Sequence, residues 1–365
     1  MMWRDVWGGV LALGLLVQPA VQAQPDLQSI ADTLLEDSGA PGAVVMQGNA
    51  DGVSLAVAGV RAAGTDAAIE TSDLWHQGSN TKSMTATLVA RLVEQGVVGW
   101  DDTVADHLGD VIDTIDPAYR DASFEHLLSH RSGLPANIGL MATLGFITSG
   151  DDDLPAQRLR YAADILAQSP TGEPGQDYLY SNAGYVVAGA MLEQATGTSW
   201  ETLITREVFE PLGLDSAGFG APGSGDAPDQ PRGHKRGLFG GLNAVAPGPR
   251  ADNPPVMGPA GTVHISAPDM AVYLRAHLDG DAGRGGDFLS PDSWQHLHTP
   301  PFGGTYALGW GVREARLFHA GSNTMWLVQI GLDRETGRVF MVGVNAAPDA
   351  DVEAAVRAAT GAVLD

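Results

Sequence analysis

Ser79-Asn80-Thr81-Lys82 is the stretch on which the reading of this chain turns. Lys82 is one of two lysines, the other being Lys235, in a chain that carries 18 arginines. A guanidinium keeps its proton at any working pH, whereas an amine can lose one. A lysine three residues after a serine shares its helical face, which brings a potential base within reach of a potential nucleophile. Alone the spacing is a weak signal, because many helices carry it by chance and a solvated surface lysine is the ordinary outcome.

Two further segments strengthen it. Tyr180-Ser181-Asn182 follows a Gly/Pro-rich turn, Gly172 to Gly175, and precedes a helical pattern, so its side chains can project into a cleft. His319-Ala320-Gly321-Ser322 ends a strand pattern, where glycine lets a ligand approach the backbone closely. Ser79, Lys82, Tyr180, Asn182 and His319 together supply a nucleophile, an amine, a phenol, an amide and an imidazole, the parts needed for acyl transfer.

Around these segments the periodicity predicts a helix over Asp26 to Asp37, stopped by Gly39, and strands over Ala43 to Gln47 and Val53 to Val60. A helix opens at Ser79 and runs to Gln95; others cover Tyr185 to Ala195 and Trp200 to Phe209, the latter closed by Pro211. Leu214 to Pro255 is rich in Gly, Pro and Asp and reads as a long rim loop. Ser266 caps another helix. Strands follow at Leu317 to His319, Trp326 to Leu332 and Val339 to Asn345, then a last helix over about Ala350 to Val363. Strands at both chain ends with helices between them predict one sheet built from the two termini and a helical region inserted between its halves.

The N-terminus reads as a secretory signal: Arg4, an apolar run from Val6 to Val17 too short to span a membrane, and a small-residue cleavage site ending at Ala23. No second stretch is long enough to anchor the chain stably in a membrane. With no cysteine there is no disulfide framework and no thiol for a lipid. The expectation is an exported protein, periplasmic or secreted. A formal charge of -24 argues against nucleic acid and anionic membranes as partners. The acidic residues are dispersed, apart from a short cluster at Asp151-Asp152-Asp153.

The three segments occur in the order Ser79-x-x-Lys82, Tyr180-x-Asn182, His319-x-Gly321. With them the chain resembles the serine β-lactamase and penicillin-binding-protein superfamily, in particular the class C-like branch with its D-alanyl carboxypeptidases, D-aminopeptidases and family VIII esterases. Supporting segments are Trp75-His76-Gln77-Gly78, Leu127 to Leu134, Pro259-Ala260-Gly261 and Leu308-Gly309-Trp310-Gly311. The resemblance spans nearly all of residues 24–365. It implies an α+β, β-lactamase/transpeptidase-like fold with an antiparallel sheet from about 24–75 and 260–365 and a helical part over about 76–259. It also implies an acyl-enzyme on Ser79, with Lys82 and Tyr180 sharing the proton transfers and either one open as the base. Asn182 would orient Lys82 and the substrate amide, and His319 and Gly321 would line the cleft. The backbone N–H groups of Ser79 and Ser322 would form the oxyanion hole. No cofactor or metal is implied.

Competing readings are weaker. His126 and His130 lie four apart, but Glu125 precedes the pair instead of following its first histidine, so structural duty is favoured over zinc. His296 and His298 read as a loop pair without a third ligand. Gly218 to Gly223 matches a dinucleotide fingerprint in form only, since no strand pattern precedes it. No Gly-x-Ser-x-Gly elbow occurs. Relative to β-lactamases, which usually carry Lys-Thr-Gly at the third motif, His319 and Ala320 leave out a hydroxyl that helps hold a substrate carboxylate. The functional expectation is an exported serine hydrolase acting on D-amino-acid peptides, β-lactams or small esters. The alternative is a penicillin-binding or sensor-like protein that acylates with little turnover.

Overall fold

The protein is described here by a computed structural model covering residues 26–139, 145–146, 153–225, 227–237 and 240–364. The N-terminal segment read above as a signal, and Asp151 and Asp152 of the acidic cluster, lie outside the described residues. The first elements are α1 (Leu27–Ser38), β1 (Gly42–Asn49), β2 (Gly52–Gly59) and β3 (Leu74–His76). The helical part holds α2 (Thr81–Glu94), α3 (Val104–Leu108), α4 (Phe124–Leu128), α5 (Leu154–Leu166), α6 (Asn182–Thr196) and α7 (Trp200–Ile204). Next come β4 (Gly218–Phe219), β5 (Gly233–Arg236), β6 (Leu242–Val245), β7 (Val263–Ser266), α8 (Ala267–Asp281) and α9 (Pro291–His298). The chain closes with β8 (Gly311–Arg313), β9 (Arg316–Gly321), β10 (Leu327–Asp333), β11 (Arg338–Val344) and α10 (Ala350–Leu364).

The main sheet has the order β2-β1-β11-β10-β9-β8, antiparallel throughout, so strands from the two ends of the chain meet at β1 and β11. Ala43 pairs with Val344 and Gly48 with Val339, a register that buries both faces. On one face Val44, Met46, Val328, Ile330 and Met341 join the large core shared with the helical part. On the other, Ala43, Val45, Val342 and Val344 pack on Leu27, Leu34, Val352 and Val356 of α1 and α10. Burial on both faces explains why these strands read as apolar runs and not as alternations. The helix ends follow ordinary capping chemistry. Asp26 accepts from the Ser29 amide and Ser266 from the Asp269 amide, both at 3.3 Å, while Gly39 and Gly197 terminate α1 and α6 with φ of 60° and 66°.

Three expectations need correction. The helix beginning at Trp200 does not stop at Pro211. It passes into a π-type turn over Thr205–Phe209 and then Glu210–Leu212, where proline is tolerated in a first turn, and Gly213 ends it with φ 68°. The segment from Leu214 to Pro255 is only partly loop, since it contributes β4 to a small sheet with β3 and β7 and forms the β5–β6 hairpin. Tertiary pairing supplied what its composition disfavoured. His296 and His298 belong to α9, not to a loop. Among the described residues no helix is long and apolar enough to cross a membrane.

Candidate active site

The chain enters α2 through a short 3-10 turn over Gly78–Asn80, which puts Ser79 at the head of the helix and Lys82 one turn further in. Gly78 holds φ 47°, and a Cβ there would lie 2.4 Å from the Ser322 nitrogen. A Cβ on Gly321 would lie 1.9 Å from the Gln77 carbonyl oxygen and 2.9 Å from the Ser79 nitrogen. Only glycine at both places lets the end of β9 press against the serine backbone. Asn80 secures the turn by donating to the Val328 carbonyl at 3.1 Å, which ties it to the neighbouring strand.

Lys82 has no exposed surface. Its Nζ lies 3.1 Å from Ser79 Oγ, 2.7 Å from Asn182 Oδ1 and 2.7 Å from the Ala260 carbonyl oxygen. No carboxylate is among these three partners, and burial pushes the amine well below the usual lysine range. The rings of Tyr180 and Tyr185 complete the enclosure, with centroids 5.0 and 5.5 Å from Nζ.

Tyr180 keeps 37% of its surface open to the cleft. Its phenol is nevertheless pushed upward by desolvation, against a pull in the other direction from contact with Ser79. The segment is held by His130, which adopts φ 60°, accepts from the Ser181 amide at 3.1 Å through Nδ1, and packs its ring 4.3 Å from that of Tyr180. Because Nδ1 accepts, the ring proton of the neutral imidazole lies on Nε2. Burial lowers His130 far below the ordinary histidine value and keeps it in that form. Asn182 caps the other side: its Nδ2 donates to Asn137 Oδ1 at 3.0 Å, which turns Oδ1 toward Lys82.

His319 sits in β9 facing the cleft, with Nε2 2.9 Å from the Tyr306 hydroxyl. Burial is the main cause that takes its pKa down to about 3, so it is a neutral hydrogen-bonding group. Beside Tyr180 and His319 opens a cleft of about 510 Å³, walled by Tyr178, Tyr306 and Phe318 with Ala320 and Arg131 also in its lining.

The structure thus gathers Ser79, Lys82, Tyr180 and Asn182 into one cluster, with Gly321 and Ser322 against the serine turn and His319 in the adjoining cleft wall. Sequence reasoning did not single out the Ala260 carbonyl, Asn137, His130 as the support of Tyr180, or Tyr306. Ala260 lay within a segment noted only as a supporting match, and His130 had been weighed with His126 as a zinc pair and given structural duty; nothing in the sequence marked Asn137 or Tyr306. The other histidines have local partners. His126 Nδ1 accepts from the Ser123 amide at 3.2 Å, His296 lies 2.8 Å from Glu125, and His298 bridges His277 and Asp281 at 2.8 and 2.5 Å. Among the described residues no group of three or more His, Cys, Asp or Glu could hold a metal ion. Gly218 to Gly223 leads from a two-residue strand into turns, with no helix to receive a phosphate.

Known proteins resemble this chain in sequence and in fold. The beta-lactamase family model matches residues 27–363. Penicillin-binding protein 4 of Amycolatopsis lactamdurans is 31% identical over 243 residues, 66% of this chain and 58% of that protein. The unguisins hydrolase ungD of Aspergillus violaceofuscus is 31% identical over 159 residues, 40% of this chain and 26% of its own. The chain therefore spans less than two thirds of either relative. Among solved structures, the octameric penicillin-binding protein homologue from Pyrococcus abyssi superposes with a TM-score of 0.73 at 24% identity, covering 91% of this chain and 75% of that one. The D-amino acid amidase from Ochrobactrum anthropi SV3 complexed with L-phenylalanine gives 0.73 at 22% identity, covering 93% and 97%. At these identities the structural likeness is one of fold.

Proposed function

The chain belongs to the beta-lactamase family, and from that premise we propose that it is an exported serine hydrolase that opens ester or amide bonds through an acyl-enzyme on Ser79. The observation that carries this reading is the set of contacts around Lys82. A neutral amine offers two N–H groups and one lone pair. Asn182 Oδ1 and the Ala260 carbonyl can only accept, so they take the two N–H groups, and the lone pair is left facing the Ser79 hydroxyl. That is a nucleophile hydrogen-bonded to its base.

Burial moves the two candidate bases in opposite directions, Lys82 down and Tyr180 up. The amine is therefore the group that takes the proton, and the phenol is the group that keeps one to give. As Ser79 Oγ bonds to the acyl carbon, its proton passes to Lys82. Tyr180 protonates the departing oxygen or nitrogen and is restored from Lys82. Water then splits the acyl ester by the same steps in reverse. The amides of Ser79 and Ser322 would hold the negative charge that develops on the acyl oxygen, in a gap kept narrow by Gly78 and Gly321. Export is supported by the N-terminal charged, apolar and small-residue pattern.

The likeness to a penicillin-binding protein favours a second reading, in which the acyl-enzyme forms but barely turns over. Intact mass followed over time after mixing with a penicillin or an activated ester, with Ser79→Ala as control, tests both. A Ser79-dependent adduct is expected, and its lifetime separates a hydrolase from a binding protein. Turnover that persists in Ser79→Ala removes the mechanism.

A further inference from the structure

Resting on the reading of Ser79 as the acylated nucleophile, we propose that Arg131 sets the specificity of this site: its guanidinium receives an anionic group on an ester or amide whose apolar body lies against the aromatic cleft wall. The cleft adjoins the serine through Tyr180, which is in contact with Ser79, and through His319 and Ala320, which precede the Gly321 that presses on the Ser79 backbone. Its walls are Tyr178, Tyr306 and Phe318, which suit an aromatic or aliphatic group. Among the described residues of the lining, Arg131 is the one with a permanent charge. Lys82 is sealed off from solvent, and burial keeps His319 neutral.

Arg131 is held in place by carbonyls, with no carboxylate paired to it among the described residues. Among the described residues its hydrogen bonds go to the carbonyls of Gln176 and Gly303, and its guanidinium carbon lies 6.0 Å from the Tyr178 ring centroid. Arg61, Arg158, Arg316 and Arg334, by contrast, all pair with carboxylates. A cationic side chain anchored by carbonyls at a cleft stands out in a chain of formal charge -24. Gly304 keeps the approach open, because a Cβ there would come within 3.1 Å of Arg131 Nη2. Ala320 offers no hydroxyl to an anion, so the guanidinium is the group in this lining suited to pair with one through two parallel N–H bonds.

The test uses two matched ester pairs that differ by one carboxylate: phenyl acetate against 3-acetoxybenzoate for the leaving side, and phenyl butyrate against monophenyl glutarate for the acyl side. The readout is the ratio of kcat/KM within each pair for the wild type, Arg131→Gln and Arg131→Lys. The anionic member of at least one pair is expected to be favoured about tenfold or more. That preference should collapse in Arg131→Gln, survive in part in Arg131→Lys, and weaken in about 0.5 M salt. An unchanged ratio in Arg131→Gln, or a wild type that prefers the neutral member of both pairs, overturns the proposal. Ser79→Ala separates the two levels. Ser79-dependent turnover without a charge preference removes only the role of Arg131, whereas turnover independent of Ser79, or none of any ester, removes the reading beneath it.

Discussion

The carbonyl oxygen of Ala260 lies 2.7 Å from Lys82 Nζ, although 178 residues separate them in the chain. With Asn182 it occupies both N–H groups of a neutral amine, so the lone pair has no option but the serine hydroxyl. The same enclosure excludes water, which is why the amine sits below its ordinary range.

Lys82→Met should therefore remove the base while keeping a side chain of similar length. Acylation of Ser79 is expected to slow by about 10²–10⁴-fold, the usual range for a positioned general base. Stability should move the other way. The folded-state pKa of Lys82 is depressed below 10.5, so the unfolded chain holds the extra proton, and folding is penalised increasingly as pH falls from 10.5 toward the folded value. Methionine abolishes that penalty, and the melting temperature at neutral pH should rise or hold. Rapid acylation by the variant, followed by mass, would sink the assignment.

Asn182→Asp places a carboxylate where an amide oxygen now lies 2.7 Å from Nζ. The negative charge favours the ammonium and raises the Lys82 pKa. Less neutral amine is then present at pH 7, so the rate there should drop and recover as pH increases. The acid limb of kcat/KM must shift to higher pH; a limb that stays put means Lys82 is not the titrating base.

Gly321→Ala introduces a Cβ 1.9 Å from the Gln77 carbonyl oxygen. The end of β9 has to retreat from the serine turn, at a folding cost of about 1–3 kcal/mol for overpacking. Because the displaced strand end carries the Ser322 amide, kcat should fall by more than ten times while most of the protein remains folded. Circular dichroism beside ester turnover checks this, and near-normal kcat would contradict the placement of the oxyanion donors.

Arg158 has no exposed surface and pairs with Glu193 and Glu201 while donating to the Val256 carbonyl at 3.2 Å. It binds α5, α6 and α7 to the segment that leads into Ala260. Burial raises Glu193, and the arginine opposes that shift. Arg158→Met leaves two carboxylates without their cation and should cost about 3–5 kcal/mol in denaturant unfolding. A loss below about 1 kcal/mol would show that the pair is dispensable.

The residues alone determined the parts of this protein whose causes are local. Ser79 and Lys82 share a helical face because three residues make nearly one turn, and Asp26, Ser266 and Gly39 mark helix ends because their side chains or their freedom at positive φ act within a few positions. Apolar runs near both termini sufficed to foresee a single sheet closed between β1 and β11. Contacts between distant segments had no such signature. The two acceptors that orient the Lys82 amine, Asn182 and Ala260, lie 100 and 178 positions away, and its low pKa comes from burial. The order of Lys82 and Tyr180 as acid and base depends on both being enclosed, because burial lowers the amine and raises the phenol. Arg131 enters the cleft only because the loops at Gln176 and Gly303 fold over it. The β5–β6 hairpin and the helical setting of His296 and His298 were lost among Gly, Pro and polar residues whose local preferences tertiary pairing overrode. Charge state and proximity are properties of an enclosure, and only the folded chain makes one.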